Sequence, residues 1–307
     1  MTTPKPRGIA VTGSTGLIGS ALVRALRADG REVMRVVRRE ATAPNELEWD
    51  PTNDYVDLAK LDGVEAVAHF AGAGVGDRRW SESYKRTIRE SRVLGTRTLA
   101  NALASLERPP ATFICGSAIG FYGDTGDREV DESAPQGPGF LADVVREWEG
   151  AADPARTAGI RVVHPRSGLV ASKDGGAWGR LIPIFKLGGG GRLGSGAQYW
   201  SYISLRDEIS ALMFLIDNAS SDDGALDGPF NLTAPRPVTN REVTAAMGRV
   251  LHRPTLLPVP EFALRIVLGE FSSEVLGSIR AVPTRLLAAG FVFEDDTIDA
   301  AITAALR

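Results

Sequence analysis

The sequence predicts an α/β protein with a doubly wound parallel sheet, and three observations support this. Apolar, strand-like segments alternate with amphipathic segments through the first half of the chain. Glycines recur every three residues directly after the first apolar segment, at Gly13, Gly16 and Gly19. The 307 residues are enough to bury a large core. Strands that alternate with helices pair in parallel and bind ligands at their carboxyl ends.

The first segment, RGIAVTGSTGLIGSALVRALRADG, predicts a strand, a glycine turn and an amphipathic helix in that order. Glycines at these positions permit a tight turn and the close approach of a pyrophosphate, toward which the helix directs its first amides. The spacing alone would also suit a plain turn, but the order of elements favours a Rossmann-type dinucleotide site. We therefore expect cofactor contacts from Gly13, Thr15, Gly16, Leu17, Ile18 and Gly19.

The second strand, REVMRVVRRE, ends where the adenosine ribose of a dinucleotide is expected. Proteins that prefer NAD usually place a carboxylate there, whereas this chain has Arg38 and Arg39. A guanidinium suits a 2′-phosphate because it can donate two parallel hydrogen bonds. The pair predicts NADP(H) as the cofactor, with a solvated basic turn as the alternative.

The alternation continues through four more strands. ELEWD predicts a third strand, with Asp50 near the adenine. GVEAVAHFAGAG predicts a fourth, where the backbone of Phe70, Ala71 and Gly72 can lie against the cofactor. A helix over about 79–106 then leads to a fifth strand, ATFICGSAIGFYG, and GIRVVHPRSGLV predicts a sixth.

The second half predicts a smaller, C-terminal substrate lobe, because glycine and proline become frequent after residue 171. We assign residues 1–171 to the cofactor domain, to which the chain returns at about 198–233. Residues 172–197 and 234–307 form the smaller lobe. Its apolar C-terminal positions either close the cleft or form a homodimer surface, and the sequence does not separate these.

Composition and charge limit the partners, the location and the metal content that we expect for this protein. A net charge of −3 and a pI of about 5.8 give no reason to expect nucleic acid or an anionic membrane as a partner. No apolar run approaches the roughly 18 residues of a membrane span, and the N-terminus lacks the apolar core of a signal peptide. The single cysteine, Cys115, indicates a reducing compartment, so we expect a cytoplasmic protein. The three histidines have no metal-ligand spacing, so we expect no metal.

Together these segments resemble the extended short-chain dehydrogenase/reductase superfamily. The closest resemblance is to its atypical branch, which is similar to nucleotide-sugar epimerases and carries a C-terminal domain of unknown function. It covers nearly the whole chain and rests on VTGSTGLIG, HFAGAG, RRWSESYKRTIRESR, GSAIGFYG, REWE, RSGLV, GSGAQYWSYIS and the tail from NLTAPRPVTN.

The resemblance implies that Ser117, after the fifth strand, touches the substrate oxygen beside the nicotinamide. It also implies a Tyr-x-x-x-Lys pair on the next helix, which supplies a proton and holds the cofactor. This chain has Phe140 and Val144 at those positions, and neither can do that work. We expect both to be packed within the helix interface.

Other residues are candidates for the missing acid. Tyr122 follows Ser117 by five residues, in the loop over the expected nicotinamide site, and its alternative is a packed ring. Glu147 and Glu149 flank Trp148 on the next helix, where most carboxylates are simply solvated.

Two arginines are candidates for cofactor or substrate contact. Arg92 ends a basic stripe with Lys85 and Arg89, and extended relatives commonly have asparagine in its place. It reaches the cofactor or an anionic substrate, or it forms a surface ion pair. Arg166, in the sixth strand, contacts the nicotinamide end or the substrate, or it is a structural anchor.

The second half departs from nucleotide-sugar enzymes at one position. Such enzymes often have a glutamine followed two residues later by an arginine that pairs with the diphosphate. Here Gln198 is followed by Trp200, which cannot neutralise phosphate but can stack on a flat ligand or pack in the core.

The sequence thus predicts an NADP(H)-dependent oxidoreductase, or an epimerase-like enzyme, acting on a small carbonyl or hydroxyl substrate. Ser117 would orient the substrate oxygen and Tyr122 would be the acid. The alternative is a non-catalytic NADP(H)-binding module that senses redox state or binds another protein, which the missing Tyr and Lys favour.

Overall fold

The computed structural model describes residues 8–221 and 224–307. The first half contains β1 (Ile9–Thr12), α1 (Leu17–Ala28), β2 (Val33–Val37), β3 (Glu46–Asp50), β4 (Tyr55–Val56), α2 (Leu58–Leu61), β5 (Ala66–His69), α3 (Glu82–Ala104), β6 (Thr112–Cys115), β7 (Ser117–Ala118), β8 (Glu129–Val130), α4 (Phe140–Gly150), α5 (Asp153–Thr157), β9 (Arg161–Ser167) and β10 (Leu169–Ala171). The second half contains α6 (Gly176–Lys186), β11 (Tyr199–Trp200), β12 (Tyr202–Ser204), α7 (Leu205–Asp217), β13 (Ser220–Ser221), β14 (Gly224–Ala225), β15 (Gly228–Leu232), β16 (Val238–Thr239), α8 (Asn240–Leu251), α9 (Glu261–Leu268), α10 (Ser272–Leu276), β17 (Arg280–Ala281), α11 (Thr284–Ala288) and α12 (Ile298–Ala305).

The central sheet has the strand order β15-β9-β6-β5-β1-β2-β3-β4, with β7 also paired to β9. All these pairs are parallel except that of β3 and the short β4. From β1 the chain moves outward through β2 in one direction and through β5 in the other. This confirms the predicted doubly wound parallel sheet, and it places the switch in direction between β1 and β5. Ligands bind at such a switch, beyond the carboxyl ends of the strands.

The sheet is buried on both faces, as a parallel sheet requires. Side chains of β1 alternate between two cores: Ile9 and Val11 face Leu22 of α1, whereas Ala10 faces Leu99 of α3. The strand that leads into the glycine turn is therefore packed into both cores, and this packing fixes the position of the turn.

The smaller lobe has its own core. Trp178 and Ile182 of α6 pack with Met247 of α8 and Ile302 of α12. Gly168 marks the bend out of β9, since a Cβ there would lie 2.7 Å from the carbonyl oxygen of Ser201.

The return of the chain to the large domain differs in detail from the prediction. The segment over about 198–233 does contribute α7, which packs on α1, and β15, which pairs with β9. Its first two strands instead form small separate pairs, β12 with β10 and β11 with β16. The bend at Gly168 carries β10 away from the central sheet, and β12 follows it. The domain boundaries stay a prediction, and residues 1–7 and 222–223 lie outside the described residues.

No helix within the described ranges is long and apolar enough to cross a membrane. The same residues contain no group of three or more His, Cys, Asp or Glu side chains that could hold a metal ion.

Candidate functional site

The glycine turn after β1 forms a cradle that has no room for side chains. Gly13 has a φ of +62°, and a Cβ on it would lie 2.7 Å from the carbonyl carbon of Phe70. A Cβ on Gly19 would lie 2.2 Å from the carbonyl oxygen of Gly13. Gly16 is the N-cap of α1 and no side chain caps the helix, so its first amides stay available to an anion.

The remaining predicted cradle residues lie in this turn and in the first turn of α1. Thr15 is exposed at the tip, and Leu17 and Ile18 begin the helix with half-buried side chains. The structure therefore brings together the residues predicted from the glycine spacing.

The two arginines after β2 differ in their contacts, which the sequence did not reveal. Arg39 Nη1 and Nη2 donate to the two carboxylate oxygens of Glu46 at 2.9 and 2.7 Å. Arg35 also bonds to Glu46, whose side chain is almost fully buried. Arg38 is exposed and has no hydrogen bond or ion pair with any residue the structure describes. Of the two arginines after β2, Arg38 is thus the one without a counter-ion among the described residues.

Asp50 lies at the carboxyl end of β3, as predicted, and its carboxylate organises a turn. It accepts from the Thr52 amide at 2.9 Å and from Asn53 Nδ2 at 2.7 Å. The Asn53 and Thr52 hydrogen bonds lower the pKa of Asp50, so the group is ionised at neutral pH.

The backbone beyond β5 is tied to β1 by Thr12. Thr12 Oγ1 accepts from the amides of Phe70 and Ala71 at 3.1 and 3.2 Å, and it lies 2.7 Å from His69 Nδ1. Since Oγ1 already accepts two amides, its proton points to Nδ1; burial lowers the pKa of His69 to about 3, so the imidazole is neutral. The amides of Phe70 and Ala71 are therefore occupied, and Gly72 is the exposed backbone at this edge.

Ser117 belongs to a buried chain of hydrogen bonds. Its Oγ donates to Glu149 Oε1 at 2.6 Å. Arg166 holds the same carboxylate with both ends of its fork, Nε to Oε1 at 2.8 Å and Nη2 to Oε2 at 2.9 Å. Burial is the largest single influence and would raise the pKa of Glu149, but the hydrogen bonds and charge of Arg166, together with His164 and the Ser117 hydrogen bond, lower it overall. Glu149 is therefore an ionised acceptor beside Ser117.

Tyr122 lies on the other side of Arg166. Its hydroxyl donates to Asn231 Oδ1 at 2.7 Å and accepts from Arg166 Nη1 at 3.0 Å, and the side chain is 1% exposed. Burial raises the pKa of Tyr122. The acid role of Tyr122 stays a prediction, but this geometry favours the packed alternative because the single hydroxyl proton is already committed.

Arg166 is also committed within the protein. Besides its bonds to Glu149 and Tyr122, its guanidinium lies 3.6 Å from the centroid of the Phe121 ring. This arrangement favours the anchoring alternative over direct cofactor contact. Its effect on the site is to position and ionise Glu149.

Phe140 and Val144 are packed, as the sequence predicts. The Phe140 ring lies 5.1 Å from that of Trp80, which lies 5.4 Å from Phe271 of the C-terminal lobe. Val144 is buried in the same cluster. An apolar seam between the lobes therefore occupies the place where the resemblance puts Tyr and Lys.

Gln198 and Trp200 do not form an open phosphate site. Trp200 is buried in the core of the smaller lobe, and Gln198 Nε2 donates to the carbonyl of Leu193 at 3.1 Å. The core-packing alternative for Trp200 is confirmed.

Comparison with known proteins defines the class. The model of the NAD dependent epimerase/dehydratase family matches residues 9–232, and a domain of unknown function, DUF1731, matches residues 259–305. The chain belongs to the NAD dependent epimerase/dehydratase family. Within it, the chain is 46% identical over 296 residues to an epimerase family protein of Mycobacterium leprae, covering 96% of this chain and 94% of that one.

A chloroplastic epimerase family protein of Arabidopsis thaliana, a homologue of SDR39U1, is 35% identical, over 97% of this chain and 86% of its own length. Among solved structures, human epimerase family protein SDR39U1 (isoform 2) with NADPH superimposes with a TM-score of 0.86 at 30% identity. That match covers 97% of this chain and 99% of the human one. The particular group is thus the epimerase family proteins that combine this fold with the DUF1731 segment.

Proposed function

We propose that this chain binds NADP(H) along the carboxyl edge of its sheet. The fit rests on the cradle, which a Cβ at Gly13 or Gly19 would fill, and on the uncapped first turn of α1. Arg38 supplies a free guanidinium where a 2′-phosphate would distinguish NADP(H) from NAD(H). The human relative solved with NADPH supports the same choice.

We further propose an oxidoreductase that acts on a small substrate bearing a hydroxyl or a carbonyl group. The observation that carries this proposal is the Ser117–Glu149–Arg166 chain, which joins a hydroxyl at the expected substrate position to an ionised carboxylate. Bound NADP(H) would supply the two-electron transfer to or from the substrate carbon.

The protein residues would handle the proton. Ser117 Oγ would hold the substrate oxygen and take its proton, while the proton that Ser117 already donates moves to Glu149 Oε1. Arg166 keeps Glu149 ionised and therefore ready to accept it. The Glu149 side chain is 14% exposed, so the proton can leave to solvent. In the reverse direction the same protons return to the substrate oxygen.

The epimerase-like form of this function has less support for a nucleotide-diphosphate sugar. The segment after β10 offers Trp200 in the core rather than an arginine in the cleft. A small substrate without a nucleotide fits these residues better.

The second candidate is the non-catalytic NADP(H)-binding module. The apolar seam of Phe140, Val144, Trp80 and Phe271 supports it, because packed apolar side chains lie where the resemblance leads us to expect the proton donor and its lysine. A cytoplasmic location and a homodimer also remain proposals, made from composition and from the apolar C-terminal positions.

The test is a search for turnover by wild-type protein, followed through the absorbance of NADPH. Aldehydes, ketones and quinones are offered with NADPH, and alcohols with NADP⁺. We expect at least one substrate to turn over and Ser117→Ala to reduce that rate by about a hundredfold or more. Tight NADPH binding without turnover of any member would favour the non-catalytic module.

A further inference from the structure

One helix face carries three cations in very different electrostatic environments. Lys85, Arg89 and Arg92 follow one another along α3. Lys85 Nζ lies 3.0 Å from Glu270 Oε1, and Arg89 Nε lies 3.4 Å from Glu147 Oε2. The first two cations are thus neutralised by carboxylates.

Arg92 is held by neutral groups. Its Nη1 donates to the carbonyl oxygens of Ala73 and Ile88 at 2.9 and 3.0 Å, and its Cζ lies 5.2 Å from the centroid of the Trp148 ring. Burial lowers its pKa to about 10, so the guanidinium is still charged at neutral pH. Among the residues that the structure describes, no carboxylate pairs with it, and its Nε and Nη2 have no hydrogen-bond partner.

The free edge of Arg92 has the geometry that binds carboxylates elsewhere in this chain. Nε and Nη2 together form the side of the guanidinium that donates two parallel bonds to an oxyanion. Within the part of the chain that the structure describes, other arginines use this edge on both oxygens of a carboxylate, namely Arg166 on Glu149, Arg206 on Asp295 and Arg249 on Asp299.

The position of Arg92 connects it with the site. Exposed Gly72 lies beside it, since a Cβ on Gly72 would be 3.4 Å from both Cγ and Cζ of Arg92. The Trp148 ring against which Arg92 lies also packs beside Gly116, where a Cβ would be 3.1 Å from it. Gly116 directly precedes Ser117. The unneutralised cation therefore borders the same edge of the sheet as the expected substrate position.

A partly buried cation without a counter-ion costs free energy, and Arg92 would be easier to accommodate with an anion against its free edge. We propose that the Nε and Nη2 edge of Arg92 binds an oxyanion group, carboxylate or phosphate, of a small molecule in the cleft. This proposal deepens the proposed function and rests on it, because the proposed cofactor and substrate positions define the cleft. The group belongs either to an anionic substrate or to the diphosphate of the cofactor, and binding measurements separate the two.

The experiment uses calorimetric titration of the full chain. NADPH is titrated first. Protein saturated with NADPH is then titrated with lactate, pyruvate and inorganic phosphate, with uncharged 1,2-propanediol and hydroxyacetone as matched probes. The variant is Arg92→Gln, and the control is Arg89→Gln, which removes the same charge from the same helix face where a carboxylate already neutralises it.

The expected result is a loss of about tenfold or more in one binding step of Arg92→Gln that Arg89→Gln does not show. A loss in NADPH affinity assigns the oxyanion to the cofactor. If the variant loses affinity for an anionic probe but not for NADPH, and the uncharged probes bind neither protein, the oxyanion belongs to the substrate. Equal behaviour of the two variants in every titration would overturn the proposal.

Folding is checked separately, because Arg92 also holds the carbonyls of Ala73 and Ile88. The glutamine amide can still donate to one of them, and melting curves show whether the variant is folded. If it is not, wild-type protein labelled with ¹⁵N-arginine gives the answer: the Arg92 Nε resonance must shift on adding NADPH or one of the anions, and an unmoved resonance overturns the proposal. Neither measurement needs turnover, so a chain that binds its ligands without reacting would refute the proposed oxidoreductase and leave this inference standing.

Discussion

Ser117 Oγ donates a 2.6 Å hydrogen bond to Glu149 Oε1, across 32 positions of sequence. Glu149 lies on α4, the same helix that carries Phe140 and Val144, where the resemblance leads us to expect the usual Tyr and Lys. The helix thus still presents an ionisable group to the serine, but from its last turn instead of its first. This relationship is the reason why we propose chemistry at a site where the expected Tyr and Lys positions hold Phe140 and Val144.

The cradle can be tested with a single methyl group. Gly19→Ala should weaken NADPH binding by about tenfold or more, because its Cβ would lie 2.2 Å from the carbonyl oxygen of Gly13 and displace the turn. Gly150→Ala is the control, since among the described residues the nearest atom beyond its own helix backbone, Asp153 Oδ2, would lie 4.0 Å from the new Cβ. Calorimetric titration measures both, and an unchanged affinity in Gly19→Ala would contradict a cofactor in this cradle.

The preference for NADP(H) over NAD(H) should depend more strongly on Arg38 than on Arg39. Arg38→Ala is expected to weaken NADPH binding about tenfold or more while leaving NADH binding nearly unchanged, because a charge-assisted phosphate contact contributes roughly 1.5 to 3 kcal/mol. Arg39→Ala should act mainly through the melting temperature, since it removes two bonds from buried Glu46. Fluorescence titration of both cofactors checks this; equal NADPH and NADH affinities in wild-type protein would refute the NADP(H) preference.

Tyr122→Phe separates packing from acid catalysis. The variant loses the bonds to Asn231 and Arg166, so we expect its free energy of unfolding to fall by roughly 1 kcal/mol per bond and its melting temperature to fall with it. Turnover should stay within about tenfold of wild type. A proton donor would instead show about a hundredfold loss in rate in a variant that is still folded at the assay temperature. That second pattern would restore Tyr122 as the acid.

Stability should fall as pH rises because of Glu208 on α7. Its carboxyl group is fully buried and accepts from Ser167 Oγ at 2.6 Å, while Oε2 has no partner among the described residues. Burial raises the pKa of Glu208 from 4.5 to about 8. Below pH 4.5 the group is protonated in both the folded and the unfolded chain. Above that pH the unfolded chain loses the proton first, so stability declines by roughly 1.4 kcal/mol per pH unit until about pH 8.

Glu208→Gln should remove this decline and raise the melting temperature at pH 8 but not at pH 4.5. Exposed Glu90→Gln is the control, with no pH-dependent gain expected. Melting curves of the three proteins across this range decide it, and a parallel pH dependence of wild type and Glu208→Gln would show that another group is responsible.

Local patterns in the sequence predicted the fold and the cradle because their causes are local. The order of strand, glycine turn and helix around Gly13 and Gly19 predicts where an anion can bind. The difference between Arg38 and Arg39 depends on Glu46, which a neighbouring strand places beside Arg39, and no spacing in the sequence indicates this.

The chain of Ser117, Glu149 and Arg166 was missed for a similar reason. The three residues lie on β7, α4 and β9, so they come within hydrogen-bonding distance only when those elements pack together. One signal was present: Glu149 follows buried Val145 by four residues, so it lies on the same face of the helix. An acidic residue on a buried helix face needs a partner, and Arg166 of the sixth strand was already a candidate for an anchoring role.

The most direct measurement is the pH dependence of substrate oxidation by wild type, Glu149→Gln and the neighbouring control Glu147→Gln, with NADP⁺ saturating. In wild type the rate should decline at acidic pH as Glu149 becomes protonated, below the usual range of a carboxyl group because Arg166 and His164 face it. Glu149→Gln should be slower by about a hundredfold to ten-thousandfold and lose that acidic limb, whereas Glu147→Gln should match wild type. A Glu149→Gln protein that stays folded and keeps the rate and the pH profile of wild type would contradict proton transfer through Ser117 to Glu149.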